Sequence, residues 1–360
     1  ISDQSTMGPL TRSKVPAELL KPLDQNALEI GDEVEKIMEK KTKIPKKRKE
    51  NRVLWEEFEN EVWQHHHFEI LKEIGGGAQA CVYKVRDTRT DNIYAIKQID
   101  YSGKNSKKYA DRELLIHTEL DHPGIVALRG HYFTTDDKRK ISLCLVLDYV
   151  PGTLLEKMKK RQGSPLPEAE AARYISELVD CVGYLHSKNI IHRDIKLANI
   201  LISADDQVKL ADFGIATQND EDRRKTIIGT PGYQAPEIDE NTDHTDLGRE
   251  ILEETQRSGK FVLPPAGVEL QDSQYTTQVD LWSLGVTLHA MVTGCLPCED
   301  TEENSDFDLC FGSQVDFDIP NWLSTDCVDL LTCVLEQNPH QRMKLEEVKH
   351  HPWLKKMGER

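Results

Sequence analysis

The apolar pattern of this chain changes period once, and that change constrains the fold more than any other feature. Between residues 68 and 148 the hydrophobic residues fall in short runs of strand type, at 68–73, 81–87, 93–98, 128–133 and 141–148. One run of helical spacing, 107–120, interrupts them. Beyond Gly152 the spacing is mostly helical, as at 168–188 and 280–293. The order predicts an α+β protein with a small β-rich lobe at 65–147, a hinge at 148–152 and a larger helical lobe at 153–354, followed by a tail at 355–360.

At 360 residues, 38% hydrophobic and 30% charged, the chain is long enough for about two domains and too apolar for a disordered one. No apolar run reaches the ~18 residues of a membrane-spanning helix, and the first residues carry no signal-peptide pattern, so an intracellular protein is expected. A formal charge of −16 disfavours direct nucleic-acid or membrane binding and suits a basic partner. Among eight cysteines, Cys295 and Cys298 form a CxxC pair with no second pair at metal-site spacing, so ordinary free thiols are expected. His65, His66 and His67 are consecutive and cannot aim at one ion from a regular element; they read as a solvated start to a strand.

Residues 1–64 read as a separate leader, polar and rich in lysine and glutamate. Leu28, Ile30, Val34 and Ile37 recur at near-helical spacing, and 53–63 repeats the pattern. Between these helices Lys46, Lys47, Arg48 and Lys49 resemble a monopartite nuclear import signal, the alternative being a solvated basic linker. The expected location is nuclear, cytoplasmic or both.

Ile74 to Val82 reads IGGGAQACV. Gly75 and Gly77 permit a tight hairpin whose N–H groups can approach phosphate oxygens, although Ala80 fills the third glycine position of G-x-G-x-x-G. Lys97 ends the apolar run Tyr94-Ala95-Ile96, where an ammonium needs anionic partners, and Glu113 on the following helix is the natural carboxylate. Three further motifs follow in order: His192-Arg-Asp-Ile-Lys-Leu-Ala-Asn199, Asp212-Phe-Gly214 and Ala235-Pro-Glu237. Asp194 is suited to orient a hydroxyl and accept its proton, while Asn199 and Asp212 offer oxygen ligands suited to Mg²⁺.

With these motifs in this order, residues 68–354 resemble the eukaryotic-type serine/threonine protein kinase domain from end to end, with parts similar to the polo, Aurora and calmodulin-dependent groups. The resemblance implies the bilobal kinase fold and Mg-assisted transfer of the ATP γ-phosphoryl group to hydroxyls of protein substrates. It implies Asp194 as base, Lys196 on the γ-phosphate, Lys97 and Glu113 as an activating ion pair, and Asn199 and Asp212 on Mg²⁺. Ile74, Gly75, Gly77, Val82, Ala95 and Leu201 are implied around the nucleotide, with Leu147 as gatekeeper and Asp148 and Val150 in the hinge. Glu237 and Arg342 are implied as a buried pair, Asp280 as the anchor of the catalytic loop, and Thr230 as its contact in the activation segment. Thr226 falls where an upstream kinase would place an activating phosphate, with Arg193 as its receiver; without phosphate, Arg193 is expected to be an unpaired cation. Ile215, being β-branched, implies threonine as the preferred acceptor.

Departures from the family pattern carry expectations of their own. His117 stands at a stacking position usually filled by an apolar side chain, and Leu154, Ala198 and Ala290 replace acidic residues that select arginine-rich substrates. The connection between Glu237 and Asp280 exceeds the family's usual length by about 30 residues and holds an insertion at about 239–272 rich in aspartate and glutamate. A pseudokinase scaffold is the principal alternative. It would be expected to lack Lys97, Asp194 or Asp212, and all three are present. A kinase for lipids or small molecules would not need the peptide-positioning segment 226–237.

Overall fold

A computed structural model describes residues 63–76, 80–136, 139–218, 229–230, 232–239, 276–297 and 320–358. Most of the leader, the basic run at Lys46–Lys49, Gly77, Thr226, Cys298 and nearly all of the acidic connection lie outside the described residues.

The protein is α+β and divides into two compact units. In the first, strands β1 (Phe68–Gly76), β2 (Ala80–Asp87), β3 (Ile93–Asp100), β4 (Leu128–Thr135) and β5 (Ile141–Asp148) form a sheet in the order β1-β2-β3-β5-β4, with Leu128 and Arg129 of β4 and Leu147 and Asp148 of β5 counted in the second unit. Pairing of β2 with β3 sets Val82 opposite Lys97 and Lys84 opposite Ala95 on one face, and Tyr83 opposite Ile96 and Val85 opposite Tyr94 on the other. The second face is the core of this unit, where Phe68, Val85, Ile96, Tyr132, Cys144 and Val146 are buried together. Trp63 joins them, stacked on Phe68 at 5.6 Å between ring centroids with the Arg89 guanidinium 5.1 Å from its own ring. A Cβ at Gly130 would lie 2.3 Å from the Trp63 ring, so the indole depends on a glycine there. The expected strand start at His65–His67 is instead a single 3-10 turn, closed by the His67 N–H to Gln64 O bond at 3.0 Å. Register shifts in β1 at Ile70/Lys72 and Glu73/Gly75 bend the strand toward its glycine end and carry it past the predicted limit.

The second unit is mainly helical and includes α1 (Lys104–Thr118) even though that helix lies between β3 and β4 in the chain. It continues with α2 (Leu154–Lys160), α3 (Glu168–Ser187), α4 (Pro236–Asp239), α5 (Gln278–Thr293), α6 (Thr325–Val334), α7 (Leu345–Lys349) and α8 (Pro352–Gly358). A small sheet, β6 (Gly152–Thr153), β7 (Ile200–Ile202) and β8 (Val208–Leu210), completes it. Thr153 and Glu156 cap α2 reciprocally, each side chain bonding the other's backbone N–H. On α3 the buried residues Ala171, Tyr174, Ile175, Leu178, Val182 and Leu185 repeat at helical spacing and form one apolar stripe. α5 differs: every residue from Val279 to Val292 is buried, as expected of a helix apolar all round. It ends at Gly294, whose φ of 88° suits glycine and whose Cβ, were there one, would sit 1.9 Å from Gly163 O. None of the described helices is long and apolar enough to cross a membrane.

Candidate active site

The loop from Ile190 to Asn199 starts just after α3 and owes its shape to one carboxylate. Asp280, near the start of α5, is fully buried, with Oδ1 accepting the Arg193 N–H at 2.8 Å and Oδ2 accepting the His192 N–H at 3.0 Å. His186 Nε2 donates to the same Oδ2 at 2.8 Å. Burial pushes the Asp280 carboxyl up, but the His186 hydrogen bond and charge and the Arg193 N–H outweigh it, leaving the pKa below the ordinary carboxylate value. These bonds hold Arg193 at a φ of 68°, a conformation that side chains other than glycine adopt at a cost.

His192 Nε2 donates to Ala211 O at 3.1 Å while its Nδ1 accepts the Asp194 N–H at 3.2 Å, which together require a neutral ring protonated on Nε2. Burial lowers its pKa against the opposing pull of Asp280, Asp194 and Asp212. The ring also supports Phe213, which is fully buried with centroid separations of 5.0 Å to His192 and 4.9 Å to His117. His117 thus fills the stacking position with an aromatic ring, and its polar edge is tied to Val126 O at 2.7 Å.

Asp194 is gripped from three sides. Thr230 Oγ1 donates to Oδ1 at 2.6 Å, Asn199 Nδ2 donates to Oδ2 at 2.8 Å, and Lys196 Nζ lies 2.9 Å from Oδ2. Lys196 Nζ also donates to Thr230 Oγ1 at 2.6 Å, so the hydroxyl accepts from the lysine and passes its own proton bond to the aspartate. Four residues named from sequence are therefore brought into one hydrogen-bonded cluster. With its amide nitrogen committed to Asp194, Asn199 has its carbonyl oxygen left as the end able to accept or ligate. Asp212 is exposed at a φ of 67°, with Oδ1 accepting the Gly214 N–H at 3.2 Å.

Arg193 corrects one expectation. It is not an unpaired cation, because its buried side chain donates from Nε to Ile215 O at 2.7 Å. The predicted Glu237–Arg342 pair is present and bidentate, at 2.8 and 2.9 Å, and the guanidinium also donates to the backbone oxygens of Glu336, Gln278 and Gln337. Asp148 at the end of β5 accepts both arms of Arg129 at 2.7 Å. Sequence reasoning missed Arg129, for which the only local signal was a cation near the start of a strand.

Of the remaining residues, Val82, Ala95 and a half-buried Lys97 share one face of the sheet unit, and Ile74 on β1 is exposed. Glu113 is buried on α1, and Leu147, Val150 and Leu201 are half-buried, all in the helical unit.

A profile of the protein kinase domain matches residues 68–249 and 257–354. The chain is 33% identical over 301 residues to an Aurora kinase of Schizosaccharomyces pombe, covering 82% of this chain and 74% of that one. It is 34% identical over 297 residues to the serine/threonine-protein kinase PLK4 of Drosophila grimshawi, covering 81% of this chain and only 34% of that protein. The match to an Aurora kinase of Saccharomyces cerevisiae is 32% over 291 residues, covering 80% and 69%.

Proposed function

The chain belongs to the protein kinase domain family, and from that membership we propose that it moves the γ-phosphoryl group of ATP to protein hydroxyls, threonine in preference to serine, once Thr226 carries a phosphate. The observation that carries this reading is the cluster around Asp194, the arrangement that in-line transfer to a hydroxyl requires. Oδ1 accepts one bond from Thr230, so an incoming hydroxyl can share it, be oriented there and leave its proton on Asp194. Lys196, beside the same carboxylate, places a positive charge where the transferred phosphoryl group gathers negative charge. Asn199 and Asp212 fit a hard divalent cation, since each offers an oxygen and two protein ligands suffice for Mg²⁺ when phosphates and water supply the rest. When bound, Mg²⁺ would neutralise phosphate oxygens.

Lys97, Val82, Ala95, Ile74 and Gly75 of the sheet unit, Glu113, Leu147, Asp148, Val150 and Leu201 of the helical unit, and Gly77 are assigned to the nucleotide and its ion pair by the family resemblance. Activation is proposed to act through Arg193, since a phosphate adds about −1.5 to −2 charges and three acceptors for a guanidinium. Nuclear import through Lys46–Lys49 is proposed on the basic run alone. The test is phosphorylation of casein by the purified chain with peptide mapping, alongside Asp194→Asn, which should bind MgATP yet lose ~10²- to 10⁴-fold in turnover. Turnover at the wild-type rate in that variant, or full activity in Thr226→Ala, would remove the corresponding part of the reading.

A further inference from the structure

We propose that Arg129 is a positioning residue for nucleotide binding, acting through Asp148; this rests on the ATP reading above. Asp148 is the last residue of β5 and is held twice by the same stretch of chain. Its N–H donates to Ala127 O at 3.0 Å, and its carboxylate takes the Arg129 guanidinium as a fork, Nε to Oδ1 and Nη2 to Oδ2, both at 2.7 Å. Two parallel bonds fix orientation as well as separation, which a single contact from a lysine would not do. The two side chains are 43% and 33% exposed, so the fork adds little to folding and its geometry calls for another account.

That account is local to the hinge. Immediately after Asp148 the chain leaves the sheet through Tyr149 and Val150, and Asp148 and Val150 are hinge residues that the family resemblance assigns to the nucleotide. Tying Asp148 by backbone and side chain removes freedom from the segment before a ligand arrives, and preordering of this kind is repaid as affinity. The guanidinium also cancels the carboxylate charge, which would otherwise stand beside a polyanionic nucleotide. Both effects act on nucleotide affinity and neither touches the cluster at Asp194. A pair that served only folding would instead lower stability, with affinity unchanged.

The experiment uses the full chain and MgATP. For Arg129→Met the dissociation constant by calorimetry and the KM for ATP should each rise about five-fold, the size of a well-formed exposed ion pair, while kcat at saturating ATP stays unchanged. Arg129→Lys, which keeps charge but not the fork, should fall between the two. In an Asp148→Asn background the Arg129→Met change should add little, since its partner charge is already gone. Unchanged KM and Kd in Arg129→Met would overturn the proposal and leave the kinase reading standing, as would a lower kcat and melting temperature at constant KM. Failure of the wild-type chain to bind MgATP would overturn both.

Discussion

Replacing Asp280 with asparagine keeps the shape of the side chain and exchanges one acceptor oxygen for a donor. The native carboxylate receives the Arg193 N–H on one oxygen and the His192 N–H and His186 Nε2 on the other, all at 2.8–3.0 Å in a site with no solvent access. If the amide oxygen faces Arg193, its NH₂ meets the His192 N–H; if the amide turns over, it meets the Arg193 N–H. Either way one buried backbone donor loses its acceptor, at about 1–3 kcal/mol, and the remaining bonds lose their charge assistance, roughly 1–2 kcal/mol more. A total of about 2–5 kcal/mol corresponds to a fall in melting temperature of roughly 4–10 °C for a domain of this size. With its anchor weakened, Arg193 can leave its positive φ, carrying Asp194 with it, so kcat should fall more than the KM for ATP rises. Thermal denaturation and steady-state kinetics on the purified variant measure both. A melting temperature within about 2 °C of wild type, together with full kcat, would refute the reasoning.

Arg342→Lys cannot reproduce the two-pronged contact with Glu237 or the three backbone bonds, and a loss of roughly 3 kcal/mol in denaturant unfolding is expected, with an unchanged midpoint counting against it. Gly130→Ala should expel the Trp63 ring and shift tryptophan emission to the red; Trp63→Ala in that background should then cost almost nothing further, and full additivity would show that the two do not depend on each other. His192 and His289 are buried with pKa values below the ordinary 6.5, burial being the main cause. Their neutral forms stabilise the fold above that pH, and stability should fall as the pH drops below it by up to about 1.4 kcal/mol per pH unit per histidine; equal urea midpoints at about pH 7.5 and pH 5.5 would contradict this.

Strands and helices were legible because their apolar residues keep a local period, and the Asp194 cluster was legible because Asp194, Lys196 and Asn199 lie within one short loop. Thr230 could be assigned to the same cluster only through the family pattern, since 36 residues separate it from Asp194. Arg129 and Asp148 carry no such cue: their pairing follows from which strands become neighbours, which the period of either strand does not encode. The same holds for Trp63 and Gly130, since a glycine within a strand does not name the side chain packed against it. The expectation for Arg193 failed because charge was weighed without the backbone. The segment that follows β8 offered its backbone carbonyl at Ile215 as a partner.

The helix that carries Asp280 is enclosed on every side from Val279 to Val292. Amide hydrogens in such an element exchange with solvent only when the surrounding core opens, so slow exchange is expected for them among the described residues. Through Asp280 the strained loop bearing Asp194 is fastened to that helix. Asp194 therefore cannot relax by a small local fluctuation of its own loop while the anchor holds; its geometry lasts as long as the core beneath it stays closed.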